Sequence, residues 1–393
     1  VKIDFAKSAQ STLGLEWEIA LVDPTTGDLV PKAPEVLAAA IARQKGLAQG
    51  DEHPFIKREL LENTVELVTG VNSTVPEAIA DLGGCLDELR AVTDELGVEL
   101  YCQGSHPFGG PRLQSVSDKE RYSRLLDRTQ WWGQQMLIYG VHVHVGIDSV
   151  DKALPVVNTL ARYVPHFQAL TASSPYWSGD ETGYASQRAL IFQQLPTAGL
   201  PWQFSDWSEY EGYVEDMFRT GVVDELNEIR WDIRPVPNLG TVEMRVCDGL
   251  ASLREIGAIT SLTQCLVHET SAAVDAGVEV PPLQPWHVKE NKWRAARYGL
   301  EAIVILDREG TERLVTEHLA EDVIPRLRPI AESLGCAEQL EDVLAIIEAG
   351  AGYQRQRWVA EQASGDLTAV VLDGVARLRN NELPTAAAGH PKA

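Results

Sequence analysis

Cysteine is scarce in this chain: five residues in 393 (Cys85, Cys102, Cys247, Cys265, Cys336), scattered, odd in number and without a Cys-x-x-Cys pair. That argues against a disulfide framework or a zinc knuckle and fits a reducing compartment. Positive charge is also short, with 34 Lys and Arg against 57 Asp and Glu, a net charge of −23. Long-range repulsion then opposes a nucleic-acid backbone or an anionic membrane as partner. It does not oppose ATP, whose phosphates arrive neutralised by magnesium. No apolar run is long enough to span a bilayer, and Val1-Lys2-Ile3-Asp4-Phe5 has no signal-peptide hydrophobic region. The expectation is a soluble, cytoplasmic protein. Several catalytic signatures are missing too: the Gly-x-x-x-x-Gly-Lys-Ser/Thr loop, the Gly-x-Gly-x-x-Gly fingerprint, the Gly-x-Ser-x-Gly elbow and the zincin His-Glu-x-x-His. A nucleotide would therefore have to bind through metal ions and basic side chains on a sheet, and no cysteine sits in a nucleophile context.

What is present is an alternation of charged and apolar residues, three times over. In Gly14-Leu15-Glu16-Trp17-Glu18-Ile19, a strand puts Glu16 and Glu18 on one face and Leu15, Trp17 and Ile19 on the other. Alone, this pattern better describes a solvated strand. Yet Gly140-Val141-His142-Val143-His144-Val145-Gly146 repeats the design with two imidazoles, and Thr241-Val242-Glu243-Met244-Arg245-Val246 repeats it with Glu243 and Arg245. If the three lie in one sheet, that sheet has an ionic face.

Between them, Leu29-Val30-Pro31 reads as a short second strand after the Asp23–Asp28 turn, and 34–48 as a helix. Lys57 to Gly70 is ambiguous: Glu59, Glu62 and Glu66 have helical spacing, whereas Thr64, Val65, Leu67, Val68 and Thr69 favour a strand through the second half. Pro76 opens a helix closed by Gly97, and Val98 to Gln103 reads as a buried strand. Ser117-Asp118-Lys119-Glu120 and Ser252-Leu253-Arg254-Glu255 read as capping boxes, the first opening a helix to about Met136. From 252 to about 379 the pattern is mostly helical. No linker divides the chain, so residues 1–382 are expected to form a single α+β unit, with 383–393 a disordered tail.

Glu16, Glu18, Glu66 and Glu243, with Glu59 or Glu62, would gather several carboxylates. Two of them about 5 Å apart repel by roughly 3 kcal/mol at an effective dielectric near 20. Such a group calls for a cation, and an oxygen-rich set with one or two imidazoles favours Mg²⁺ or Mn²⁺ over Zn²⁺. His142 is a candidate ligand, and the role of His144 is open. Arg234 and Arg245 can grip a carboxylate or phosphate, or pair with the acidic cluster itself. Arg188, in a loop poor in other charges, is a candidate for substrate. Lys292, Arg294 and Arg297 form a basic cluster that reads either as nucleotide-binding or as a solvated helix face.

These motifs, with Pro196-Thr197-Ala198-Gly199, Arg234-Pro235 and Glu290-Asn291-Lys292-Trp293-Arg294-Ala295, occur in an order that resembles the type 2 glutamate–cysteine ligases, the bacterial carboxylate–amine ligases of the YbdK type. The resemblance runs from about residue 10 to 380. It implies a glutamine-synthetase-like fold, in which an antiparallel sheet carries the site on one face and helices cover the other. It implies ATP-dependent joining of the γ-carboxylate of L-glutamate to an amine such as L-cysteine, with Mg²⁺ (or Mn²⁺) between nucleotide and sheet. By motif, Glu16, Glu18, Glu59, Glu66, His142 and Glu243 fall on metal positions. Arg234 and Arg245 would serve catalysis, and Arg188, Lys292 and Arg294 substrate or nucleotide. The acceptor amine, the number of metals and the oligomeric state (a homo-oligomer included) stay open. The competing reading is a metal-dependent amidohydrolase using the same acidic face.

Overall fold

A computed structural model of the chain describes residues 2–44, 46, 51–279 and 281–383. Its centre is a seven-stranded antiparallel sheet built from β1 (Leu13–Val22), β2 (Ile56–Arg58), β3 (Thr64–Val68), β4 (Glu99–Tyr101), β5 (Val141–Gly146), β6 (Ile233–Val236) and β7 (Thr241–Met244). The order is β6-β7-β5-β1-β3-β2, with β4 on the far end of β1. The three alternating segments thus lie side by side. Their register puts Glu16 opposite His142, Glu18 opposite Glu66, Glu243 opposite His144 and Arg234 opposite Glu243.

The other face is dry. Leu15, Trp17, Ile19, Val141, Val143, Val145, Val242 and Met244 are all buried in the main core. Each contributes roughly 1.5–3 kcal/mol when fully taken from water, which pins the register because a one-residue slip would expose the whole set. Trp17 also donates its indole N–H to the Leu250 carbonyl at 3.1 Å. Helices cover this face: α2 (Val75–Leu96) packs on β1, α4 (Val150–Thr171) on β6 and β7, and α7 (Leu253–Asp275) on β5. In chain order the others before residue 300 are α1 (Ala33–Arg43), α3 (Glu120–Thr129), α5 (Gln187–Phe192), α6 (Trp207–Arg219) and α8 (Pro285–Tyr298). Helices over Ile324–Leu334, Ala337–Ala349, Gly352–Gln362 and Leu367–Asn380 follow, after the hairpin Ile303–Ile305/Glu312–Leu314.

The α2 signals act as read: Thr74 and Glu77 form the capping box, Pro76 sits in the first turn, and Gly97 closes the helix at φ +65°. Other expectations need correction. Leu29 makes a single bridge to Val22 and no second strand forms; Pro31, lacking an N–H, cannot extend a ladder. The helix expected over 34–48 runs Ala33–Arg43, and Lys45 and Leu47 to Gly50 lie outside the described residues. Ser117 does not cap α3: the helix starts later, at Glu120 with Lys119 in the cap position, and ends at Thr129, while the Ser117 N–H donates to the Leu60 carbonyl at 2.9 Å. Ser252 does cap α7, accepting from Arg254 N at 3.1 Å, but the box is not closed, because Glu255 turns inward to Arg377 at 3.2 Å. Of the tail expected to be disordered, 384–393 lies outside the described residues. Among those described, no helix is long and apolar enough to cross a membrane.

Candidate active site: two carboxylate clusters and an arginine wall

A cleft of about 380 Å³ opens over the charged face of the sheet. Its floor holds two groups of metal-ligand side chains. Glu18 on β1, Glu59 between β2 and β3, and Glu66 on β3 form one; Glu16 on β1, His142 on β5 and Glu243 on β7 form the other. Within each group one donor atom per residue lies within 4.8 Å of the others. The strand reading of residues 64–68 decides between the two carboxylate alternatives: Glu59 lines the cleft and Glu62 does not.

The groups differ in how their charge is met. Glu243, with no exposed side-chain surface, takes Arg234 Nε at 2.6 Å and also pairs with Arg245. Burial alone would raise its carboxyl; the two guanidiniums hold it far below the usual range. Glu16 lies 2.7 Å from His142 Nδ1 and 3.2 Å from His144 Nε2. Burial opposes its charge too, but the bonds to both imidazoles outweigh it and its pKa falls well below normal. Burial and the Arg245 charge push His142 down to about 4, so it stands neutral with the lone pair a metal needs. His144 also contacts Thr241 Oγ1 at 3.0 Å; burial resists its charge, yet Glu243 and Glu16 raise its pKa overall.

The Glu18 group has no comparable partner. Glu18 accepts the Gly140 N–H at 2.6 Å, but burial and the charge of Glu59 push it up to about 7. Burial also raises Glu59, and burial with the charges of Glu16, Glu59 and Glu18 raises Glu66 well above its ordinary value. An oxygen-only, half-buried, under-neutralised set is the environment a hard divalent cation satisfies, so these residues fit Mg²⁺ or Mn²⁺.

The arginines fall in different places. Arg188 lines the cleft but is buried beneath it, donating to the carbonyl of Val246 at 3.2 Å and of Arg245 at 3.4 Å. Its guanidinium occupies the space where a side chain at position 140 would be, so Gly140 both admits Arg188 and binds Glu18. Lys292 and Arg294 are not brought to the cleft. Lys292 is buried against Asp232 at 2.6 Å, and Arg294 pairs with Glu290 at 3.0 Å and Glu312 at 2.5 Å. Asp232 in turn accepts the Arg245 N–H through its carbonyl, so Lys292 braces the segment that carries the cleft arginines.

Arg121, Arg124 and Arg128 on α3, and Arg230 just before β6, also line the cleft and were not singled out from the sequence. The i, i+3, i+7 spacing on α3 was a usable signal, since it sets all three on one helix face. For Arg230 no local pattern exists; its place depends on the pairing of Ala198-Gly199 with Arg230-Trp231.

Comparison with known proteins follows the same lines. The family described as "Glutamate-cysteine ligase family 2(GCS2)" matches over residues 12–373. "Putative glutamate--cysteine ligase 2-1" of Arthrobacter sp. (strain FB24) is 65% identical over 98% of this chain and 100% of its own length. The protein named "Putative glutamate--cysteine ligase 2" in Mycobacterium tuberculosis (strain ATCC 25177 / H37Ra) is 52% identical, covering 96% and 97%. Among solved structures, the glutamate–cysteine ligase of Francisella tularensis in complex with AMP superposes with a TM-score of 0.63 at 16% identity, covering 97% of this chain and 91% of that one. The bifunctional glutathione synthetase of Pasteurella multocida gives a TM-score of 0.68 at 17% identity over 94% of this chain, which spans 52% of that longer protein. The fold is thus the glutamine-synthetase-like α+β arrangement expected, with the site on one face of an antiparallel sheet and helices on the other. On the match across nearly its whole length, the chain belongs to glutamate–cysteine ligase family 2.

Proposed function

We propose that residues 1–382 form one catalytic unit, an ATP- and Mg²⁺-dependent ligase that joins the γ-carboxylate of L-glutamate to an amine, with L-cysteine the acceptor. The observation that carries this reading is the under-neutralised Glu18–Glu59–Glu66 group beside the Glu16–His142–Glu243 group on one sheet face. The names of the relatives and the AMP held by the Francisella enzyme support it.

A carboxylate does not condense with an amine in water, because its resonance-stabilised oxygens are poor leaving groups. Transfer of the γ-phosphoryl group of ATP to the glutamate γ-carboxylate gives an acyl phosphate and ADP. The amine nitrogen then attacks the acyl carbon, the bond to phosphate breaks, and the amide remains as the amine proton is lost. Such transfers are driven by positioning and by neutralising charge. Glu18, Glu59 and Glu66 would hold one divalent ion and Glu16, His142 and Glu243 another; bound there, Mg²⁺ supplies positive charge to the phosphates. Arg245 and Arg234, fixed in direction by Glu243, would face the charge developing on the transferred group. The five cysteines are all buried, and none lines the cleft, so the route uses no thiol of the protein.

The test is ADP release with ATP, Mg²⁺ and L-glutamate across a panel of amines including L-cysteine. ADP should form only when glutamate and an amine are both present. Amide hydrolysis without ATP, or activity unchanged after exhaustive chelation, would overturn the reading.

A further inference from the structure

Two of the arginines that line the cleft and have no role in the proposed chemistry also stand, among the described residues, outside any ion pair. Arg234 and Arg245 are bound to Glu243, and Arg124 to Asp224 at 3.3 Å. Arg121 donates to the Tyr122 hydroxyl at 2.6 Å and faces Glu59 and Glu66. Arg188 is wedged beneath the sheet edge near Glu18 and Asp248. That leaves Arg128 and Arg230. Among the described residues neither forms an ion pair: Arg128 donates to the Val222 carbonyl, and Arg230 to the Glu228 carbonyl at 3.0 Å. A half-buried guanidinium has five donors, and Arg230 spends one on a neutral acceptor.

Two further observations bear on the same spot. Burial lowers the Arg230 pKa to about 10, opposed by Glu228 and reinforced by the like charges of Arg245, Arg234 and Arg128. Thr197, which lines the cleft and whose carbonyl accepts the Arg230 N–H at 3.1 Å, stands at φ +70°. A β-branched residue in the left-handed region is strained, and such strain gathers where backbone is held for a ligand. The Thr197 hydroxyl and Arg230 share the Glu228 carbonyl, while Arg234 Nη1 holds the carbonyls of Asn227 and Ile229 at 2.8 and 3.0 Å. The turn that presents Arg230 is thus fixed from three sides.

Helix α3 gives the scale. It runs from Arg121, beside Glu59 and Glu66, to Arg128, seven residues on, or about 10 Å at 1.5 Å per residue. Phosphates neutralised by metal belong at the carboxylate end. The other end, although Asp224, Glu225 and Glu228 line it too, offers in Arg128 and Arg230 two planar forks that form no ion pair among the described residues, suited to a carboxylate.

We propose that Arg230 and Arg128, beside the Thr197 turn, bind the α-carboxylate of an amino-acid substrate, so that the enzyme takes amino acids and discriminates against the corresponding decarboxylated amines. This rests on the ligase reading above. Two substrates carry that group, the donor glutamate and an amino-acid acceptor, and the kinetics separate them.

The experiment compares wild type with Arg230→Gln, Arg230→Lys and Arg128→Gln, using L-cysteine against cysteamine as acceptors and varying glutamate and ATP in turn. Arg128 is exposed on α3, so its variant keeps the test open even if Arg230→Gln folds poorly. Removing a charge-assisted contact should raise the KM of one amino acid by roughly ten- to a hundredfold, with Arg230→Lys intermediate. The KM for ATP should stay within about twofold, well below that loss. If the subsite serves the acceptor, the preference for L-cysteine over cysteamine collapses while the glutamate KM holds. If it serves the donor, the glutamate KM rises and that preference is kept. A rise confined to ATP, or no KM change in either glutamine variant, overturns the proposal. Should wild type release no ADP with glutamate and any amine, the ligase reading fails. Calorimetry with L-glutamate and L-cysteine then decides the subsite alone: binding weakened by Arg230→Gln sustains it, and equal or absent binding refutes it.

Discussion

Glu18, Glu59 and Glu66 stand beside Glu16, His142 and Glu243 on the same sheet face, the two groups sharing β1, yet the protein treats their charge in opposite ways. In the second group two arginines and two imidazoles hold Glu243 and Glu16 ionised. In the first, burial and the charges of neighbouring carboxylates, Glu16 among them, push every carboxyl up. On the proposed reading the first group would need an added cation, whereas the second is a network with its counter-charges in place, which an ion would join. The contrast teaches that clustered carboxylates are not one kind of site. What matters is whether the chain supplies the counter-charge.

The largest effect should come from the group without one. Glu66→Gln removes a ligand from the set that needs the cation most. Turnover at fixed Mg²⁺ should fall beyond the roughly 10–100-fold typical of residues that merely support a metal site, and raised Mg²⁺ should recover part of it. The metal-free variant should melt no lower than wild type, because a repulsive charge has gone. A Glu66→Gln protein with normal activity and a lowered Tm would invert the comparison.

Much of this site was readable from alternation alone. Strands with a dry face of Leu15, Trp17 and Ile19, or of Val141, Val143 and Val145, admit one register, so Glu16, Glu18, His142 and Glu243 had to share the opposite face. Glu59 was separable from Glu62 only through the strand that follows. What failed was long-range or depended on a partner. The Lys292–Asp232 pair joins residues sixty apart in sequence, and no local pattern tells a buried lysine with a partner from a solvated one. Ser117 lost its capping role because α3 starts at Glu120, which puts Lys119 at the cap position. Arg230 reaches the cleft because two-residue strands pair in parallel, too short a feature to leave a periodic trace.

Next in size is the charge the protein does neutralise. Glu243→Gln leaves Arg234 and Arg245 without their carboxylate. Stability should drop by about 2–4 kcal/mol, short of the upper range for a dry pair because both guanidiniums touch the cleft. Turnover should fall as well, with only partial rescue by Mg²⁺. Arg245→Lys keeps a charge but loses the planar fork, so the rate should drop without Mg²⁺ rescue and with a smaller change in Tm. Met244, one residue along β7 and fully buried on the other face, is the control: Met244→Ala should cost about 2–5 kcal/mol and leave the kinetics of the folded enzyme nearly unchanged. Melting curves and rate against Mg²⁺ for the three variants check this.

The finest test is the pH dependence of stability in the metal-free protein, where the two groups should pull in opposite directions. A carboxyl whose folded pKa is raised favours the fold while protonated, so its contribution is present below the unfolded value near 4.5 and fades as pH rises. For Glu18 that loss runs from about 4.5 to about 7. The depressed carboxyls of Glu16 and Glu243 do the reverse: their contribution is present above about 4.5 and is lost as pH falls through their folded values. Between pH 5 and 7.5 the second group's carboxyls are ionised in both states, but His142, held near 4 in the fold, adds stability as pH rises towards 6.5, while Glu255, pushed up to about 7, loses it; the Glu18 group's share is therefore the downward slope that metal-free wild type shows in excess of metal-free Glu66→Gln. Mg²⁺ binds the ionised form, and its stabilising effect should therefore grow over that interval by several degrees in Tm. Glu66→Gln should remove the Glu18 group's share of the slope and weaken the growth of Mg²⁺ stabilisation, whereas Glu243→Gln should lower the whole curve. Equal Mg²⁺ stabilisation at pH 5 and pH 7.5 in wild type would mean that the Glu18 group is not the one waiting for a cation.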